Sequence, residues 1–381
     1  MVRFSLHYFV LFAVFATVWP YFPAFLRSLG FSEAHVGYLQ GLRMLAGVGG
    51  PLLVAWLSDR LGRRRLLIAA SLIAFVLLIV PLASTSDFLP AALLAMGVGL
   101  ALRTTIPLSD TLAATELRDP AHQYGKVRVW GSMGFISTLF AIRLFGLVDE
   151  QSAGSMMRAM LIAALAGLVV SRFLPERHKP PPGPDAAAGE GRGFDALFWV
   201  FIGVVALQQL GMSGYYAFFT IYLQDELGMQ QAAWVWAVAS ASEMPVLICA
   251  GLIIRRFGVF PMLLMACAAV SVRLAVYSLF PVLWAVLPAQ LLHAAAFGML
   301  HAAAIETIRR RAPAGRRAVA MSLYMSLAVA LPLLVGSSIG GLVIERFGYL
   351  VLYGVYAVPP LLGMVLLAAA GRGLAERGRA P

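Results

Sequence analysis

Residues 175–193 read PERHKPPPGPDAAAGEGRG. Pro, Gly and charge dominate this stretch, and such a composition cannot bury enough apolar surface to pack as an element. The chain on either side of it is the opposite, a succession of long apolar runs. Six runs precede it, at about 5–26, 34–57, 66–85, 89–113, 126–148 and 154–174. Six follow, at about 195–221, 230–254, 260–279, 283–306, 317–342 and 348–370. A spanning helix uses roughly 20 apolar residues, so each run is long enough to cross a bilayer. The expectation is an all-α polytopic membrane protein with twelve transmembrane helices in two six-helix bundles. The bundles take 1–174 and 195–370, a cytoplasmic linker takes 175–194, and a cytoplasmic tail takes 371–381.

Composition agrees with that reading and excludes others. Of 381 residues, 61% are hydrophobic and 12% charged, and mean hydropathy is +0.84. A soluble protein of this length could not cover its core with so few charges. A cytosolic enzyme, a disordered chain and a secreted disulfide scaffold are therefore excluded. The net charge of +11 fits the excess of Arg and Lys on cytoplasmic loops better than it fits nucleic acid. Arg60, Arg63 to Arg65, Arg255, Arg256 and Arg309 to Arg311 fall on one side, while Arg27 and Arg346 fall on the other. This places both termini in the cytoplasm. The run at 4–26 exceeds a signal-peptide core and reads as the first membrane helix. Cys249 and Cys267 lie inside apolar runs and read as small buried hydrophobes.

Short charged turns ending in Gly recur. Asp59-Arg-Leu-Gly62 and Arg255-Arg-Phe-Gly258 follow the second helix of each half, offset by 196 (62 to 258). Arg143-Leu-Phe-Gly146 and Glu345-Arg-Phe-Gly348 come later, offset by 202 (146 to 348). Repeats of this kind are how many transporters build two states around one central site.

Residues 50–65, GPLLVAWLSDRLGRRR, resemble the helix 2–3 loop motif of the major facilitator superfamily, with Asp59, Arg60, Gly62, Arg63 and Arg64 in place. A narrower resemblance lies at 107–110 (PLSD) and 124–132 (YGKVRVWGS), which look like the phenylpropionate permease group. That group is similar to the lactose permease type of proton symporter. Gln290, His293, His301, Glu243 and Arg273 fit the same group. The resemblance implies the major facilitator fold and proton-coupled transport, with a coupling carboxylate and arginine in the second half.

Charges inside the membrane are costly and face the protein interior or a wet cavity. Counting about 1.5 Å per residue from each helix entry puts Arg43, Arg103, Glu243, Arg273 and His293 near the midplane. Glu243 with Arg273 reads either as a static ion pair or as a proton site. His293 is either an ordinary buried histidine or a partner of Glu243, since imidazole titrates near physiological pH. Arg43 and Arg103 have no acid at their own depth. Arg103 can reach down to Asp110, which leaves one guanidinium for something anionic, and guanidinium binds carboxylate bidentately. Trp19, Tyr215 and Tyr216 lie beside Pro or Gly and read either as cavity walls or as lipid-facing and interfacial aromatics; Gln208 and Gln290 can bond a substrate or knit helices. Asp59, Arg60, Gly62, Arg63 and Arg64 read as an inside gate, with Asp110, Lys126 and Arg128 serving similarly, or as plain positive-inside topology.

No Walker loop, HExxH, nucleophile set or Rossmann fingerprint is present. The expectation is therefore not an enzyme but a monomeric, multi-pass transporter of the bacterial inner membrane. It needs no metal and no cofactor, with the proton as coupling ion. It would import a small organic anion, an aromatic carboxylate first, by alternating access in symport with protons. The rival readings are a proton-coupled importer of nucleosides or sugars, a proton/drug antiporter, and a membrane sensor or lipid-handling protein with a transporter fold. None has nucleic acid as a partner; the bilayer, protons and a small molecule are the partners expected.

Overall fold

The computed structural model describes residues 1–176, 193–313 and 316–375. The expected linker at 175–194 falls almost wholly outside the described residues, as does 376–381 of the expected tail. Among the described residues the chain is all-helical: α1 Val2–Val18, α2 Phe22–Ser28, α3 Glu33–Leu61, α4 Arg64–Leu82, α5 Phe88–Glu116, α6 Pro120–Phe145, α7 Ala153–Ser171, α8 Ala196–Asp225, α9 Val235–Phe257, α10 Val259–Leu279, α11 Leu283–Gln290, α12 Leu300–Arg311, α13 Arg317–Leu323, α14 Leu331–Tyr356 and α15 Val358–Ala375. Eight of the described helical stretches are long and apolar enough to cross a membrane, or nine if the bent pair Val235–Val246 and Ile248–Phe257 is one span. Large apolar side chains stand on the outside, Leu77 at 67% exposure and Trp284 at 74%. Such a surface suits hydrocarbon, not water.

Several expected helices are built of pieces. The first apolar run breaks at Trp19–Tyr21, where Pro20 lacks the N–H that a continuous helix needs, and resumes as α2. The expected helices at 283–306 and 317–342 each contain a π-helical segment, Ala294–Met299 and Tyr324–Ala330. Local caps set the boundaries elsewhere. Ser32 accepts from the His35 N–H at the start of α3, Ser152 from Ser155 at the start of α7, and Asp195 from Phe198 before α8.

Among the described residues six glycines have positive φ: Gly30, Gly62, Gly146, Gly228, Gly258 and Gly348. Left-handed backbone is strained for any side chain, so these turns require Gly. They form three pairs, the two seen in the sequence and a third offset by 198 (30 to 228). Gly62 closes α3 as a left-handed cap, its N–H bonded to the Ser58 carbonyl, which is a recurrent way to end a helix. Gly348 interrupts α14 with φ 81°.

Two compact units result. One takes the described residues of 1–185 together with Leu223–Ala237, and the other the described residues of 186–222 and 238–381. In the first, α1 packs on α6 and α7, and α5 packs on α3 and α4. In the second, α10 packs on α14, α15 and the 294–299 segment, around a core that includes Phe198, Phe201, Leu263, Leu300, Tyr324 and Leu367. Small residues let the helices close up. A Cβ on Gly134 of α6 would lie 2.1 Å from the Phe9 carbonyl oxygen of α1. A Cβ on Gly211 of α8 would lie 2.8 Å from the Tyr356 carbonyl oxygen. Gly211 therefore serves close packing rather than a bend, and α8 runs unbroken past it.

The substitution Gly134→Ala should push α6 off α1, because backbone cannot yield as a side chain can. Overpacking costs about 1–3 kcal/mol, read as a lower midpoint of thermal unfolding in detergent; an unchanged midpoint would show that the two helices are not held at this distance.

Candidate functional site

Each unit holds its own cluster of buried polar side chains. In the second unit the centre is Arg273 of α10, fully buried. Its Nε donates to the Tyr277 hydroxyl at 2.6 Å, one turn along the same helix. One terminal nitrogen bonds His293 Nδ1 at 3.0 Å, and the other donates to Gln290 Oε1. The guanidinium carbon lies 3.8 Å over the Tyr215 ring of α8, a cation–π contact that is strongest when desolvated. Gln290 Nε2 in turn donates to Tyr277 at 3.0 Å.

His293 joins this cluster to Glu243 of α9. Arginine only donates, so Nδ1 accepts from Arg273, and the remaining proton of neutral imidazole sits on Nε2. Nε2 lies 3.6 Å from Glu243 Oε2. The sequence reading set Glu243 against Arg273; the structure puts His293 between them with its tautomer fixed. Phe297 stacks on His293 and on His301, with ring centroids 5.5 and 5.9 Å apart, and His301 is exposed. Gln208 of α8 donates to the Ala296 carbonyl at 2.9 Å, inside the π-helical segment. Its buried Oε1 has no hydrogen-bond partner among the described residues. Tyr216 is half-buried and meets Tyr215 edge-on.

In the first unit Arg43 of α3 is 3% exposed. Its Nε donates to Gln40 Oε1 at 2.9 Å, and its guanidinium lies 4.8 Å over Phe22. Among the described residues no carboxylate pairs with it. Gly99 explains how α5 comes so near: a Cβ there would lie 2.2 Å from the Arg43 carbonyl oxygen. Arg103 of α5 is half-buried and donates to Met44 Sδ.

Asp110 is engaged elsewhere than the sequence reading placed it. It accepts from the Tyr8 hydroxyl of α1 at 2.6 Å, and Arg128 of α6 stacks 4.3 Å over Phe12 and 5.6 Å over Tyr8. His7 Nε2 and Ser109 Oγ are 2.8 Å apart beside them. Lys126 is exposed. Trp19 is on the outside of its unit, against Phe15 and Phe135. Of the expected gate, Arg60 and Arg63 are exposed, and the Asp59 side chain lies outside the described residues. Arg64 donates to Ser58 and Thr115, and the Arg65 N–H is capped by Glu176 at 2.8 Å.

The sequence reading missed Tyr277, Tyr8 and His7. Tyr277 had a signal, because it sits four residues from Arg273 on one helix face. Tyr8 and His7 had none, since only the folded arrangement of α1 and α5 brings Tyr8 to Asp110 and His7 to Ser109.

A family model described as the MFS_1 like family matches residues 1–355. The chain belongs to this family. As a member of the MFS_1 like family it is a multi-pass membrane transporter. It is 24% identical over 372 residues to the maltose permease of Geobacillus stearothermophilus, covering 96% of this chain and 93% of that one. It is 27% identical over 320 residues to the probable 3-phenylpropionic acid transporter of Escherichia coli (strain K12), covering 81% and 82%. Among solved structures, the nucleoside transporter NupG matches with a TM-score of 0.79 at 16% identity, covering 97% and 98%. That likeness shows that this chain shares the fold of NupG.

The Tyr277 hydroxyl serves both Arg273 and Gln290, so Tyr277→Phe leaves a buried cation short of a partner. The expected loss is about 1–3 kcal/mol of stability, measured by thermal or denaturant unfolding, whereas Tyr353→Phe, whose hydroxyl has no hydrogen-bond partner among the described residues, should cost far less.

Proposed function

We propose that this protein is a proton-coupled symporter that imports a small organic anion, an aromatic carboxylate first, by alternating access. In this reading twelve spans form two six-helix bundles with both termini in the cytoplasm. The protein works as a monomer in a bacterial inner membrane and needs no cofactor beyond the proton. The observation that carries the anion is Arg43: a buried guanidinium whose hydrogen bond goes to a neutral amide. A buried charge without a counter-charge is costly, and a substrate carboxylate relieves that cost.

Glu243 is the proton site in this reading. Its carboxylate faces the Nε2–H of His293, whose tautomer Arg273 holds. A protonated Glu243 loses the charge that attracts this N–H, so the link from α9 to the span of α11 and α12 weakens. Release of the proton restores it. One proton per anion also removes the membrane-potential penalty of about 2.3 kcal/mol per charge per 100 mV. Asp59, Arg60, Arg63 and Arg64 act as the inside gate, and Gln208, Gln290, Tyr215, Tyr216, Trp19 and Arg103 as secondary contacts.

A second reading takes a neutral solute with the same proton machinery. The names of the maltose permease and of NupG favour it. Charge discriminates the two. Replacing Arg43 with Gln should weaken binding of the preferred acid by about a hundredfold or more, since losing one partner of a buried charge pair costs about 3–5 kcal/mol. The neutral amide analogue should change far less. A folded variant that keeps the original acid-to-amide ratio, at Arg43 and again at Arg103, would favour the sugar or nucleoside reading.

Glu243→Gln should uncouple transport. Exchange of substrate across vesicle membranes should persist while pH-driven accumulation disappears; normal accumulation would remove Glu243 from the coupling role.

A further inference from the structure

The polar cluster with no part in the reading above lies in the turn between α6 and α7. Glu150 is 4% exposed, although it sits outside the membrane-spanning helices. Its carboxylate accepts from the N–H of Ala232 at 2.9 Å, the N–H of Ala233 at 3.0 Å and Gln224 Nε2 at 2.8 Å. These three donors belong to Leu223–Ala237, the segment that interrupts the second unit in sequence yet is part of the first. Further contacts support it. Arg27 donates to Gln224 Oε1 and Asp225, at 2.8 and 2.5 Å. Arg143 donates to Gln231 at 3.1 Å, and Trp234 packs on Phe140. Ala232, Ala233, Val235 and Trp236 are buried.

We propose that residues 223–237 form a strap, and that a proton on Glu150 controls how tightly it docks on the first unit. Geometry makes Glu150 the pin, because its carboxylate accepts from two consecutive backbone N–H groups of the strap, Ala232 and Ala233. Charge makes it titratable. Burial raises the Glu150 carboxyl above the usual carboxylate range, and the nearby Asp149 adds to this; the N–H groups of Ala232, Ala233 and Gln224 oppose it without cancelling it. The other groups facing it are Tyr21, in the turn before α2, and Arg27 behind Gln224, which is itself matched by Asp225 and Glu33. The sign follows from linkage. Docked Glu150 takes up a proton more readily than solvated Glu150. Docking is therefore tightest below the ordinary carboxylate pKa and weakens as pH rises through the docked value. The neutral acid keeps an oxygen to accept from the strap and sheds the cost of burying a charge. Both ends of the strap run into the second unit, at Tyr222 and Val238. In the importer proposed above, acid on that side would favour the docked strap; only this role in the cycle rests on that reading, since docking itself needs no transport.

The test uses full-length protein in lipid nanodiscs with Cys249 and Cys267 replaced by Ala. Maleimide labelling of Ala233→Cys, a buried strap position, is compared with Glu226→Cys, an exposed reference. The ratio should fall as pH drops from about 8 to about 5.5, by up to about tenfold for each unit by which docking raises the carboxyl. With Glu150→Gln, a mimic of the neutral acid, it should be low and independent of pH. With Glu150→Ala it should approach the exposed reference throughout. A ratio that rises on acidification, a pH dependence that survives in Glu150→Gln, or a Glu150→Ala ratio equal to that of the parent would overturn the proposal. Should Ala233→Cys fail to fold, aqueous quenching of Trp234 in the chain without added cysteines and with the other six tryptophans replaced by Phe must rank the same three proteins in the same order.

Discussion

A guanidinium inside a membrane protein cannot be left to itself. It never loses its charge, it carries five N–H donors in a fixed plane, and hydrocarbon offers it nothing. The second unit is organised by this constraint. Arg273 needs acceptors on every edge and an aromatic face on its flat side, and it draws them from α8, α10, α11 and His293 just beyond α11. The helices that supply them are thereby held in one register. Tyr277, Gln290 and His293 are arranged as they are because the arginine is there, and the orientation of His293 toward Glu243 follows.

The first unit meets the same constraint differently. Arg43 is as deeply placed, yet its hydrogen bond goes to Gln40 and its face to Phe22. One unit thus surrounds its arginine with several acceptors; the other gives its arginine, among the described residues, one amide and one aromatic face. A fixed cation with a full set of partners is scaffold. The contrast between two arginines on the same chain is the clearest chemical difference between the units.

Helical class and apolar surface were legible in the sequence because hydrocarbon demands long apolar runs and little else can produce them. Of the six positive-φ glycines among the described residues, four were singled out in the sequence by their charged turns; Gly30 and Gly228 close similar turns, Arg27-Ser-Leu-Gly30 and Asp225-Glu-Leu-Gly228, and emerged through their backbone angles. Counting depth along helices assembled Glu243, Arg273 and His293 as a group, because a charge in hydrocarbon must find company. Depth says nothing about azimuth, however. Arg103 faces Met44 rather than Asp110, and Asp110 faces Tyr8; no spacing rule ties residues on helices so far apart in sequence. The π-helical segments were invisible for a related reason. Their residues, AAAFGM and YMSLAVA, are of the same types as fill the rest of the apolar runs.

Those segments have a consequence for how the span containing His293 is phased. A residue added to an α-helix turns everything beyond it by about 100°, and a π-turn absorbs such a residue locally. Ala294–Met299 lies between His293 and α12, which carries Glu306 and the Arg309–Arg311 run. The azimuth of the histidine and that of the basic end are therefore set independently, each by its own neighbours. If the segment relaxes to α-helical pitch, the basic end swings around the axis while His293 keeps its place. The span then works as a crankshaft with a joint in the middle rather than as a rod.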